Sequence, residues 1–97
     1  MSEGLPAHLH LKVVTPRRLL VEADADAVAL PGLEGELGVL PGHRPLLTAL
    51  GRGRIRYRSG AHEGSCAVRG GYAQVLPDSV LVMTEADEDE GRGPAPS

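Results

Sequence analysis

Residues 31–50 read PGLEGELGVLPGHRPLLTAL. Glycines at 32, 35, 38 and 42 and prolines at 31, 41 and 45 interrupt an otherwise aliphatic run. That spacing excludes a helix of useful length, calls for turns with φ > 0, and leaves only very short extended pieces between them. The segment holds no catalytic nucleophile, yet its order is too particular for a generic loop. It has the character of a shaped surface, and a shaped surface implies a partner.

The flanking sequence alternates with period two. In His8-Leu9-His10-Leu11-Lys12-Val13 the apolar residues share one face, as in a half-buried strand, and Thr15-Pro16 closes it. Residues 18–22 predict a second short strand and residues 25–30 a third, stopped by Pro31-Gly32. Beyond the Pro-Gly segment, Arg52, Arg54, Arg56 and Arg58 alternate with Ile55 and Tyr57. This predicts a strand with an aliphatic-aromatic inner face and a guanidinium outer face. Residues 59–64 form a turn, residues 65–69 the returning strand, Gly70-Gly71 a tight connection, and residues 72–76 and 80–84 two more strands around Pro77-Asp78-Ser79. Short strands with frequent turn signals define an all-β sandwich or barrel. Residues 1–87 are expected to form one domain. Residues 88–97 are acidic and then Gly-Pro-rich, and are expected to be a disordered tail.

A chain of 97 residues with no Phe or Trp must build its core from Leu, Val, Ile and Ala. Ten basic residues face thirteen acidic ones, and the excess lies beyond residue 85. A balanced body argues against a nucleic-acid binder. The single Cys66 excludes an internal disulfide and points to a reducing compartment. No run approaches the roughly 20 apolar residues that cross a bilayer, and the N-terminus lacks the pattern of a signal peptide. Lys12 is the only lysine, and abundant Ala, Gly and Pro point to a GC-rich bacterial genome.

Four chemical readings fail on their own terms. His8 and His10 share a strand face, but His43, His62 and Cys66 supply no third or fourth ligand at a metal-binding spacing, so no metal is expected. Cys66 beside His62 lacks an orienting carboxylate and fits an inward-facing small hydrophobe. Glu34 and Glu36 resemble a carboxylate pair without a cleft, which makes them surface acids with partner contact as a second role. The glycines at 32, 35 and 38 lack the following helix of a phosphate loop, so no nucleotide or other cofactor is expected. The arginine strand is best taken as a solvated or subunit-facing strand that deters edge pairing.

Taken in order, Pro31-Gly32, Gly35-Glu36-Leu37-Gly38, Leu40-Pro41-Gly42-His43 and Pro45-Leu46-Leu47-Thr48-Ala49-Leu50 resemble the signature of the epsilon subunit of F-type ATP synthases. The opening strand, the Arg69-Gly70-Gly71-Tyr72-Ala73 turn and the Pro77-Asp78 turn extend the resemblance over residues 7–87. It implies a flattened β-sandwich of about ten short strands. It also implies a non-catalytic rotor subunit that links the gamma subunit to the membrane c-ring and so couples ion translocation to ATP synthesis. Such a subunit lies peripherally at the cytoplasmic face of the bacterial inner membrane, held there only through the complex. By the same resemblance Glu34, Gly35, Glu36, Pro41, Gly42 and His43 belong to the c-ring and stalk-foot interface, and one apolar sandwich face packs on gamma. The C-terminal helical pair of most relatives has no counterpart here, so inhibition by helix extension is not expected. The alternative from another class is a lipoyl- or biotinyl-type carrier, which needs a lysine at a hairpin tip.

Overall fold

The computed structural model describes residues 7–85, and all regular structure among them is β. Seven strands follow in chain order: β1 (Leu9–Val14), β2 (Leu19–Ala25), β3 (Ala27–Gly32), β4 (Gly35–Val39), β5 (Leu46–Ser59), β6 (His62–Leu76) and β7 (Ser79–Met83). They hydrogen-bond as one continuous sheet in the order β2-β1-β7-β6-β5-β3-β4. All ladders are antiparallel except β1 with β7, which is parallel. The sheet folds over itself. One cluster of buried residues draws Leu9, Leu11 and Val13 from β1, Val28 and Leu30 from β3, Ile55 from β5 and Val80 and Val82 from β7.

The expected count of about ten short strands becomes seven, because two of the seven are long. β5 starts at Leu46, inside the segment expected to hold only very short extended pieces, and runs unbroken through the arginine stretch to Ser59. At 3.3 Å per residue its 14 residues span roughly 46 Å, close to the molecule's 50 Å long axis. β6 pairs with it in unbroken register from Leu46↔Val75 to Ser59↔His62. Gly70-Gly71 is therefore not a turn.

Instead, the two glycines lie where the β5–β6 ribbon changes the face it gives to the core. In the first half of the ribbon Leu50, Ala73 and Val75 are buried; in the second half Ile55 and Val68 are buried, on the opposite face. A long ribbon that passes from one layer of a sandwich to the other must do this. Gly70 and Gly71 have φ of 82° and 109°, and a Cβ on Gly71 would lie 2.0 Å from the Met83 carbonyl oxygen. Only glycine fits there. Thr84, 2 % exposed, holds the crossing: its hydroxyl donates to the Gly70 carbonyl (2.8 Å) and accepts from the Arg69 amide (3.3 Å).

Gly71→Ala is expected to cost about 2 kcal/mol or more of stability, because the φ and the contact are both incompatible with a side chain. Thr84→Val, nearly isosteric, should cost about 1–3 kcal/mol by leaving the two backbone groups without their partner. Gly38→Ala, whose Cβ meets nothing within 4 Å, should be neutral or stabilising by about 0.5 kcal/mol. Urea unfolding of the three variants checks the order.

Candidate functional site

Residues 31–43 fold as two structures joined by β4. At one end is the β3–β4 hairpin, closed by Gly32↔Gly35 with Leu33 and Glu34 at the tip. The Leu33 amide donates to the Ala49 carbonyl (3.1 Å), which pins the tip to β5. Glu34, Gly35 and Glu36 are all exposed. Glu36 takes an ion pair with Arg56, two strands away across β3, whereas Glu34 has no ion-pair partner among the described residues.

At the other end Leu40-Pro41-Gly42-His43 forms a turn in which the His43 amide donates to the Leu40 carbonyl (3.1 Å). Pro at the second position and Gly42 at φ 91° in the third are the signature of a type II turn. The Gly42 amide docks on the Pro77 carbonyl (2.7 Å), tying this turn to the β6–β7 connection. The His43 Nδ1–H donates to the Arg44 carbonyl (2.7 Å). Five residue steps of extended chain, about 17 Å, separate Glu36 from Pro41. The six candidate residues thus form two groups at opposite ends of β4 rather than one patch.

A larger surface, which alternation alone did not reveal, crosses the sheet. Leu19, Val14, Met83, Tyr72 and Ala49 stand opposite one another, strand by strand, across β2, β1, β7, β6 and β5. Leu47 sits two residues along β5 on the same side, and the Leu33 side chain reaches over Gly51 to continue the row. Leu33 and Leu47 are 68 % and 66 % exposed and Tyr72 55 %. Single exposed apolar residues need no explanation, but a contiguous row across five strands does. The opposite side of the molecule is polar: Arg52, Arg54, Arg56 and Arg58 project from β5, and Arg54 donates to the Ser65 hydroxyl (2.8 Å). Next to Arg56 and Arg58 lies a shallow groove of roughly 690 Å³ floored by Ala27, Ala29 and Gly38.

The histidines of β1 face carboxylates of β2. His10 lies 3.1 Å from Asp24 and 2.8 Å from Glu22, and its pKa is raised by hydrogen bonds to Asp24 and then Glu22. Asp26 accepts the Gly60 amide (2.7 Å) at the tip of the β5–β6 hairpin. That bond first, and His8 after it, holds the Asp26 carboxyl below its ordinary value. Cys66 is half-buried, and burial pushes its thiol up, away from a reactive thiolate.

Residues 8–90 match the family model described as ATP synthase, Delta/Epsilon chain, beta-sandwich domain. The chain belongs to that family. It is 45 % identical over 83 residues to the ATP synthase epsilon chain of Syntrophobacter fumaroxidans, covering 86 % of this chain and 62 % of the relative. It is 44 % identical over 80 residues to that of Nitratidesulfovibrio vulgaris, covering 82 % and 60 %. The chain thus spans about three-fifths of the length of the curated relatives it matches. Among solved structures, a chain of the Euglena gracilis mitochondrial ATP synthase OSCP/F1/c-ring assembly superposes with a TM-score of 0.79 at 24 % identity, covering 89 % of this chain and 56 % of that one. A chain of the Tetrahymena thermophila mitochondrial ATP synthase central stalk and c-ring gives 0.67 at 16 % identity, covering 97 % and 77 %. These likenesses establish the shared fold, and the epsilon-type β-sandwich expected from residues 31–50 is the fold observed.

The two titrating contacts act in opposite pH ranges. His10 adds stability that is full below its unfolded value of about 6.5 and is lost as pH rises through its raised folded value. Asp26 adds stability that is full above about 4 and is lost as pH falls through its lowered folded value. Denaturant titrations across pH should place the stability maximum between those limits. His10→Gln should flatten the alkaline fall, and Asp26→Asn should reduce the acid one.

Proposed function

We propose that this chain is a non-catalytic rotor component of an F-type ATP synthase, joining the gamma subunit to the c-ring so that ion flow turns the stalk. The observation that carries the reading is the exposed apolar row through Leu47, Tyr72 and Met83 on a sandwich of the epsilon family. In the proposal that row packs on gamma, where its aromatic and aliphatic side chains are removed from water. The hairpin tip, with Glu34, Gly35 and Glu36, meets the c-ring. Glu34 supplies the free carboxylate for a basic group there, while Glu36 is already committed to Arg56. The turn of Pro41, Gly42 and His43, at the far end of β4, faces the stalk foot.

The chain sits at the cytoplasmic face of the bacterial inner membrane through these partners. No helix among the described residues is long and apolar enough to cross a membrane. The carrier alternative is not favoured, since Lys12 lies within β1, opposite Glu22 and Leu81, and not at a hairpin tip.

Tyr72→Glu and Leu47→Glu should each weaken association with gamma by at least about tenfold, a loss of about 1.4 kcal/mol or more, while the free chain melts as before. Glu34→Lys should leave gamma binding intact and reduce retention of the gamma complex on the c-ring. Pull-down with each partner separates the two surfaces. Undiminished gamma binding by both glutamate variants would refute the assignment.

A further inference from the structure

We infer that the outer face of β5 docks an acidic segment of a partner polypeptide, whose carboxylates, two residues apart, are held by Arg52 and Arg54. This face lies opposite the apolar row, so both surfaces can be occupied at once and neither assignment depends on the other.

Arg52, Arg54, Arg56 and Arg58 are all exposed on one side of β5, roughly 6.8 Å apart in succession. At the Arg58 end carboxylates are close by: Glu36 pairs with Arg56, and Glu63 stands opposite Arg58 in the β5–β6 ladder. At the other end the ladder supplies none. Arg54 donates to the neutral Ser65 hydroxyl (2.8 Å) and stands opposite Ala67, while Arg52 stands opposite Arg69. Neither Arg52 nor Arg54 has an ion-pair partner among the described residues. Like charges directly opposite one another destabilise a sheet. A carboxylate bound over Arg52 and Arg69 turns that repulsion into attraction.

The make-up of the strip selects the chemistry of its partner. All its cations are guanidinium groups; the single lysine, Lys12, is on β1. A guanidinium is a planar fork that takes a carboxylate through two parallel hydrogen bonds. It takes a phosphate in the same way, so the surroundings decide between a protein, a nucleic acid and a lipid surface. A single-stranded nucleic acid needs aromatic rings beside the cations for its bases, whereas Tyr57 packs against the core and Tyr72 lies on the opposite side. A bilayer surface needs bulky apolar side chains beside the cations, whereas the strip pairs with the small residues Ala27 and Ala29 of β3 and Ser65 and Ala67 of β6. An extended segment with acids at alternate positions fits, because side chains on one face of it repeat at the strip's own interval. Each exposed pair is weak, which makes the contact multivalent and salt-labile.

The test is an NMR titration of the 97-residue chain at about 10 mM ionic strength, where charges act over about 30 Å. The probe is a peptide of four glutamates alternating with four threonines. A block peptide of the same composition, with its glutamates contiguous, has the same charge but turns only half of its acids to one side. The alternating peptide should move the amide signals of Arg52, Arg54, Ser65 and Ala67 and leave those of Leu47 and Tyr72 in place. It should bind more tightly than the block peptide by about threefold or more. Arg52→Gln with Arg54→Gln should weaken its binding by about threefold or more, while Lys12→Gln with Arg44→Gln, the same change of charge away from the strip, should not. Both pairs of substitutions replace exposed side chains, and the amide spectra check that the variants are folded. Unmoved Arg52 and Arg54 signals, equal affinity for the two peptides, or an equal loss in both variants would overturn the proposal. So would a five-nucleotide oligothymidylate, with its four phosphates, or phosphatidylglycerol vesicles that bind through Arg52 and Arg54 more tightly than the alternating peptide.

Discussion

Gly70 and Gly71 on β6, the latter paired with Leu50 on β5, let one long ribbon serve two layers of a sandwich. The two strands have the same register on both sides of the crossing, where Thr84 bonds the Arg69 amide and the Gly70 carbonyl. The price is confined to a point where the backbone has φ values closed to other residues and where Met83 and Thr84 approach too closely for a Cβ. From that crossing both outer surfaces follow. Before it, Leu47, Ala49 and Tyr72 are turned outward to extend the apolar row of β1 and β7. After it, the arginines are turned outward and Ile55 inward. The molecule thus acquires one apolar and one cationic side from a single ribbon.

The short connections fix the position of each surface relative to the core. The type II turn at Pro41-Gly42 is bonded to the Pro77 carbonyl, and the Leu33 amide to the Ala49 carbonyl, so both ends of β4 are attached to other parts of the sheet. Asp26 ties the β2–β3 corner to the far tip of the β5–β6 hairpin through Gly60. These contacts use backbone groups that would otherwise lack partners, which makes the loops stiff without a large core. The proposed rotor role would draw on stiffness of this kind, because a loose contact would absorb rotation rather than pass it on.

Alternation made β1 and the arginine half of β5 legible, because each buries one face for its whole length. The same rule failed at Gly70-Gly71. Two adjacent glycines with positive φ are the local signal of a tight turn, and nothing nearby in sequence distinguishes a turn from a change of face. The start of β5 at Leu46 was hidden for a related reason: Pro41, Gly42 and Pro45 punctuate the chain just before it. The parallel β1–β7 pairing and the Glu36–Arg56 contact are products of strand order, which no local pattern encodes. His10 was legible as an exposed strand residue, but its carboxylate partners come into view only with the β1–β2 register. The candidate residues from 34 to 43 were found by resemblance and lie on connected structures. Their separation into two groups follows from β4 being a full strand.

In the proposed assembly the face carrying Leu47, Tyr72 and Met83 is the surface removed from water when gamma binds. The chain has two methionines, Met1 and Met83, so a methyl-labelled sample reports on that face with one internal control. Addition of unlabelled gamma subunit should shift or broaden the Met83 methyl resonance and leave that of Met1 in place. Formation of a stable complex with the Met83 resonance unmoved would contradict the account.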